Sequence, residues 1–229
     1  MSNGDFKKIV FVIFEGASDE TALGTSLSTY FAPKEVRFKI LKGDVTSDSK
    51  NNSSNIVSKI ADIIEDYLLG DRFLEIKDFD KIIHIVDADG VYIPNDKIKY
   101  DGNKTKFYYE PDAIYSDRTA DVINRNSRKR ACLNKLYKTK KIKGIPYGIY
   151  YMSSCLEHVI CNKLNLTDSD KAKEAKDFAS RYGKNKQDFK TFICQSSFSV
   201  SRTYHDTWLF IQENLNSLNR YTNLGCSLK

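Results

Sequence analysis

Six consecutive apolar residues, Ile9-Val-Phe-Val-Ile-Phe14, run straight into Glu15-Gly16, and this junction constrains the chain more than any other feature. A strand that is apolar at every position cannot present one face to water, so it must be covered on both sides, as central strands of parallel sheets are. In such a sheet, ligands bind in the crevice beyond the carboxyl ends of the strands. The acid that stops the run is therefore already a candidate. The next eighty residues support the parallel arrangement. Ala22, Leu23, Ser26, Leu27 and Tyr30 repeat at helical spacing up to Pro33, with Ser18 and Asp19 supplying N-cap chemistry. Val36, Phe38 and Ile40 then alternate with Arg37 and Lys39, which predicts an edge or half-exposed strand. After a polar loop over 43–54, Ile56, Val57, Ile60, Ile63, Ile64, Tyr67 and Leu68 hold one helical face until Gly70, with Ser54 or Asn55 as its cap. Lys81 to Val86 predicts a third strand, and it too ends in acids, Asp87-Ala-Asp89-Gly90. Strand, helix, strand, helix, strand implies right-handed crossovers and a parallel sheet.

Regularity lapses after Gly90, and residues 91–143 are read as an insertion. Its second half predicts a basic helix from about Asp117 to Lys140, with Ala120, Ile123, Ala131, Leu133, Leu136 and Tyr137 as apolar positions. Gly144 and Pro146 close it. Tyr147 to Met152 gives a fourth strand, after which Ser153-Ser154 are placed to cap a helix carrying Leu156, Glu157, Val159 and Ile160. Further helices are expected over Ser169 to Arg181, opened by the capping box Thr167-Asp-Ser-Asp170, and over His205 to Leu218. The expected organisation is an α/β core over 1–90 and 144–165, an insertion over 91–143, and a helical C-terminal appendage over 166–229.

Composition narrows the class. Hydrophobic residues at 41% with 12% aromatics exclude a wholly disordered chain. No apolar stretch approaches the roughly 20 residues of a membrane span, and the Ile9–Phe14 run is too short for a secretion signal, so a cytoplasmic protein without membrane contact is expected. Five cysteines without a CxxC pair argue against a disulfide framework and a zinc knuckle. The net charge of +6 is strongly localised: residues 118–143 hold ten basic residues and one acid, a local +9, while the remaining 26 basic and 29 acidic residues carry −3. Such a block is either a polyanion-binding surface or a solvated helix face, and charge alone leaves both open. Arg118, Arg125, Arg128, Lys129, Arg130 and Lys135 are the candidate nucleic-acid contacts.

At the strand ends, Glu15, Asp87 and Asp89 should face one edge, and residues two apart in an extended segment point the same way. Converging carboxylates raise one another's pKa unless a cation intervenes, and a hard divalent ion, Mg²⁺ or Mn²⁺, answers that need. Gly16 and Gly90 directly after the acids are read as permitting sharp turns and close approach of an anion. The bland alternative is that Asp-x-Asp-Gly is simply a loop. Asp19 is preferred to Glu20 as a further acid of the site, because a first-turn Glu also serves the helix dipole. His84 reads as a core histidine, His158 as a neighbour able to order a carboxylate, and Trp208 as core. Tyr100, Tyr108, Tyr109 and Tyr115 either pack the insertion, the reading ranked first, or stack on unpaired bases.

Taken together, Val10-Phe-Val-Ile-Phe-Glu15-Gly-Ala-Ser-Asp19-Glu20 and Ile83-His-Ile-Val-Asp87-Ala-Asp89-Gly90 resemble the Toprim domain of topoisomerases, primases and OLD-type nucleases. Within it, the size and the element Ser153-Ser-Cys-Leu-Glu157-His158 are similar to the RloB-like branch found beside ATPases in bacterial anti-phage defence loci. The resemblance implies a Toprim-like, Rossmann-like core and a metal-dependent nuclease in which Glu15, Asp87 and Asp89 are catalytic. By the same resemblance Glu15, Asp19, Asp87, Asp89 and Glu157 ligate Mg²⁺ or Mn²⁺. Nucleic acid would be the substrate and an ATPase subunit a partner. The competing expectation is a non-catalytic nucleic-acid- or partner-binding subunit that works through such an ATPase.

Overall fold

The computed structural model describes residues 8–228. Its first half follows the alternation in the sequence: β1 (Ile9–Phe14), α1 (Ala17–Phe31), β2 (Glu35–Ile40), α2 (Ile56–Leu69) and β3 (Phe79–Asp87). The insertion contributes β4 (Ile98–Tyr100), β5 (Tyr108–Tyr109), β6 (Ile114–Ser116) and α3 (Thr119–Leu136). A hairpin, β7 (Lys141–Ile142) and β8 (Ile145–Met152), returns the chain to the main sheet, and α4 (Leu156–Cys161), α5 (Asp168–Tyr182), α6 (Lys186–Gln195) and α7 (Tyr204–Phe210) follow, with a 3₁₀ turn at Leu224–Leu228 after them.

The main sheet has the order β2-β1-β3-β8-β7. Its first four strands are parallel and β7 is antiparallel to β8. This is an α/β fold on a mostly parallel sheet. The six residues of β1 divide strictly by parity. Ile9, Phe11 and Ile13 enter one core with Ile56, Ile60 and Ile64 of α2 and Cys132 and Leu133 of α3. Val10, Val12 and Phe14 enter the other with Leu23 and Leu27 of α1, Phe178 of α5 and Phe189 of α6. All six side chains are at most 2% exposed, and their burial contributes on the order of 10 kcal/mol against chain entropy. The helices lie on opposite faces because the two crossovers run in opposite directions, from β1 out to β2 and back across β1 to β3. The strand order therefore reverses between β1 and β3, and the crevice outside a sheet opens at such a point.

Several local expectations are corrected. Ser153 and Ser154 do not cap α4, whose N-cap is Cys155 without a side-chain bond; Ser153 Oγ instead donates to the Asn219 carbonyl and accepts from Tyr221 N. The His205–Leu218 helix is only α7, because the chain leaves it in turns that include Asn214 at φ 49°. Helix α6 is not among the expected elements; it buries Phe189 and Ile193 on one face, and its start is marked by Asn185, whose Oδ1 accepts from Gln187 N and Asp188 N. The C-terminal helices α5 and α6 cover the α1 face of the sheet, and Thr222 bridges to Met152 at the end of β8. Among the described residues, no helix is long and apolar enough to cross a membrane.

His84 sits within β3, fully buried, with Nδ1 2.9 Å from the Tyr147 hydroxyl and Nε2 unpartnered. Burial lowers its pKa to about 3. The folded state thus resists a proton that the unfolded chain accepts near pH 6.5, so stability is complete above that pH and declines as the solution is acidified toward the folded value. At pH 5 the loss is on the order of 2 kcal/mol. Urea unfolding at pH 7 and pH 5 should show wild type losing about that much more stability than His84→Gln; equal losses would mean that His84 is not the titrating group.

Candidate active site

Glu15 directly follows β1, and its Oε2 accepts from the backbone N–H of Asp87, the last residue of β3, at 3.2 Å. The two strand ends of the crevice are thereby tied by the first candidate acid. Beyond Asp87 the chain is no longer extended. Asp89 has φ 51° and Gly90 φ 65°, and a Cβ on Gly90 would stand 2.5 Å from Leu218 Cδ2. Gly90 is required both by its backbone conformation and by this approach. Gly16, at φ −144°, is ordinary extended backbone. Its expected turning role falls away; it is the N-cap of α1, and its N–H donates to Asp19 Oδ2 at 3.0 Å.

The turn at Asp89 separates it from Asp87, so the acids form two groups. In the first, the Lys129 ammonium stands 2.6 Å from Asp89 Oδ2, 2.7 Å from Asp44 Oδ2 and 3.9 Å from Glu15 Oε2. Asp44, which no motif marks in the sequence, is fixed by a turn in which its Oδ1 accepts from Thr46 N, Thr46 Oγ1 and Ser47 N. Burial opposes ionisation of Asp44, yet the Lys129 ammonium holds it well below the usual carboxylate range. The same burial would lower Lys129, but Asp89, Glu15 and Asp44 hold it well above an ordinary lysine. Glu15 is pushed up, first by burial and then by Asp44 and Asp87, and its Oε1 is buried with no hydrogen-bond partner.

In the second group, the Glu157 charge acts on both Asp19 and Asp87. Asp87 is pushed well up by burial and then by Asp19, Asp89 and Glu157. Asp19 rises to about 6 through burial and the Glu157 charge. Glu157 is 3% exposed; its Oε1 is 3.4 Å from Lys171 Nζ, and its Oε2 is buried without a hydrogen-bond partner. His158 does not order this carboxylate, since its Nδ1 is buried and unpartnered and burial lowers its pKa to about 4.

Helix α3 does not present its six candidate cations as one surface. Arg118 is exposed and paired with Asp117 and Asp121, Arg128 is half-buried and Lys135 is exposed. Lys129, at 0% exposure, and Arg125, at 9%, point inward. Arg125 Nη1 is 3.2 Å from Asp89 Oδ2 and its Nη2 donates to the Asp89 carbonyl, while Arg130 donates twice to the Val91 carbonyl. Three of the six therefore clamp the loop after β3. The reason lies in the helix face: Val122, Arg125, Asn126, Lys129, Cys132, Leu133 and Leu136 are its buried positions.

Beside both groups opens a cavity of about 310 Å³ lined by Asp87, Asp89, Glu157, Lys171 and the aromatic segment Phe107–Tyr109, among others. Two buried, unpartnered carboxylate oxygens on Glu15 and Glu157 and a donor set made only of oxygens suit a hard divalent cation, which needs only one or two carboxylates and retains its waters. Among the described residues, however, no three Asp, Glu, His or Cys side chains already stand in an arrangement that could hold a metal ion. The acids suit Mg²⁺ or Mn²⁺ in chemistry without forming a finished cage. The chain matches no family model, no curated protein and no solved structure.

Proposed function

We propose that this chain is a Mg²⁺- or Mn²⁺-dependent hydrolase of nucleic-acid phosphodiesters with a Toprim-like core, placed by its resemblance among OLD-type and RloB-like nucleases of bacterial anti-phage defence. The observation that carries this reading is the meeting of Glu15 and Asp87 at the ends of adjacent parallel strands, beside the unpartnered carboxylate oxygen of Glu157. Asp87, Asp19 and Glu157 would hold the ion, with Glu15 and Asp89 reaching the same crevice. A bound divalent ion would polarise the scissile phosphate and lower the pKa of a coordinated water. The chain's own groups do the rest. Lys129 and Arg125 keep Asp89 and its loop fixed, Lys171 offers a positive charge at the cavity wall, and Glu15, whose proton affinity is raised by burial, is suited to hold or release a proton.

A second reading, a non-catalytic subunit that binds nucleic acid or an ATPase partner, is favoured by Lys129, whose ammonium already pairs with both Asp44 and Asp89. One experiment separates them. Purified protein is incubated with single-stranded DNA, duplex DNA and RNA, with Mg²⁺, Mn²⁺ or EDTA, alone and with a candidate ATPase. Cleavage dependent on the ion and abolished by Glu15→Gln supports the hydrolase. Binding without cleavage in every combination supports the subunit.

A further inference from the structure

The cavity beside the acids has a wall that cleavage chemistry alone does not require. Phe107 and Tyr109 line it together with Lys106, Lys171 and Asn165. The two rings are held in place from within the site: the Arg125 guanidinium lies 5.2 Å from the Phe107 ring centre and 5.9 Å from that of Tyr109, while it also grips Asp89. Asn165 clamps the same segment, its Oδ1 accepting from Tyr109 N at 2.9 Å and its Nδ2 donating to Tyr109 O at 2.8 Å. Those two bonds copy the pairing of a neighbouring strand. The aromatic segment is thereby tied to the loop between α4 and α5 at one end and to the Asp89 loop at the other.

We propose that this cavity receives the base of one unpaired nucleotide adjoining the phosphate bound at the acids, so that the substrate is single-stranded or is unpaired at the reaction point. The inference rests on the phosphodiesterase reading and names its substrate class. Three features support it. A volume of about 310 Å³ is at the low end of the roughly 300–1,000 Å³ of small-molecule sites, enough for a nucleotide and far too small for a duplex. Aromatic faces accept any base by stacking, and a cation behind them strengthens the platform. Lys106 and Lys171, on the same lining, supply positive charge for the flanking phosphates while Asp87 and Glu157 reject them from their own side unless a divalent ion is bound.

The test is binding of the full chain, by fluorescence anisotropy in Ca²⁺, to four labelled probes: short oligothymidylate, oligouridylate, an abasic strand of the same length, and a duplex. Phe107→Leu keeps an apolar side chain against the Ile93, Ile98 and Ile114 cluster and removes the ring. Wild type should bind base-bearing single strands more tightly than the abasic strand or the duplex. Phe107→Leu should weaken that binding roughly 5- to 150-fold, the effect of one stacked base, with the abasic probe unchanged. A ribo- or deoxy-preference shows which strand is the ligand. Equal affinity for abasic and base-bearing strands, or an unchanged Phe107→Leu, overturns the inference even where the protein cleaves. Ring-dependent binding by a protein that cleaves nothing keeps the cavity assignment and removes the nuclease. Circular dichroism and the melting temperature of Phe107→Leu establish that lost affinity is not lost fold; a variant that is unfolded is replaced by Lys106→Gln, which should weaken the single-strand probes and flatten their salt dependence.

Discussion

Lys129→Met is expected to lose roughly 3–5 kcal/mol of folding stability, the cost of leaving buried charges without their partner. The side chain is fully buried, and its ammonium is the counter-charge that Asp44 and Asp89 share at 2.7 and 2.6 Å. Methionine fills a similar volume, so the change isolates charge from packing. Against the roughly 5–15 kcal/mol that holds an ordinary protein together, the effect would be visible in urea unfolding at pH 7. A second arm gives the result its meaning. If the ammonium occupies a place that a cation must fill, Mn²⁺ should restore part of the lost stability in Lys129→Met and raise the wild-type melting temperature less. The double change Lys129→Met with Asp44→Asn should also recover stability relative to the single one, because one orphaned charge goes with it. A loss below about 1 kcal/mol would contradict the assigned ion pairs; a full loss without any Mn²⁺ effect would leave Lys129 as the structural clamp on Asp44 and Asp89 and place any ion elsewhere in the crevice.

The sheet is legible in the sequence because β1 is apolar at every position, and only burial on both faces accommodates that. The same logic places Glu15 and Asp87 at strand ends. Asp44 is nearly as accessible to it: it lies four residues past Ile40, the end of β2, in a Gly43-Asp44-x-Thr46 turn. The alternation of Val36, Phe38 and Ile40 nevertheless marks β2 as an edge strand, and an acid just past an edge reads as an ordinary solvated turn. The basic helix misleads for another reason. Counted along the sequence, ten cations look like one surface, while helical spacing from Val122 through Arg125 and Lys129 to Leu133 and Leu136 puts two of them on the buried face. Net charge has no direction, whereas periodicity does. The separation of Asp87 from Asp89 is not legible at all, since a two-residue spacing aims side chains together only while the backbone stays extended, and Leu218, which requires the glycine at 90, is 128 positions away in sequence and adjacent only in the fold.

Asp87→Asn should act on function and stability in opposite directions. Altering groups that merely orient metal ligands costs about 10–100-fold, so under the proposed function, in which Asp87 would hold the ion, its replacement should reduce cleavage at least about a hundredfold. The metal-free protein, by contrast, should become more stable. In wild type the Asp87 carboxylate is buried beside Asp19, Asp89 and Glu157, and Lys129 only partly offsets them. Asparagine removes that charge at nearly constant shape. An acid whose folded pKa lies above its unfolded value stabilises the fold while protonated and loses that contribution as pH rises through the folded value. Asp87 and Asp19, the latter near pH 6, therefore contribute stability near pH 5 that is diminished at pH 7 in the metal-free protein. This is opposite in sign to the His84 effect, and the two are separated by comparing each variant with wild type. Asp87→Asn should flatten the decline toward neutral pH, raise the metal-free melting temperature by a few degrees, equivalent to about 1–2 kcal/mol, and shrink the stabilisation by Mn²⁺. A variant that is both inactive and less stable than wild type at pH 7 would identify Asp87 as a structural acid and remove the main support for a metal at these strand ends. Higher stability together with lost cleavage is the signature of a carboxylate kept for its chemistry at a cost to the fold.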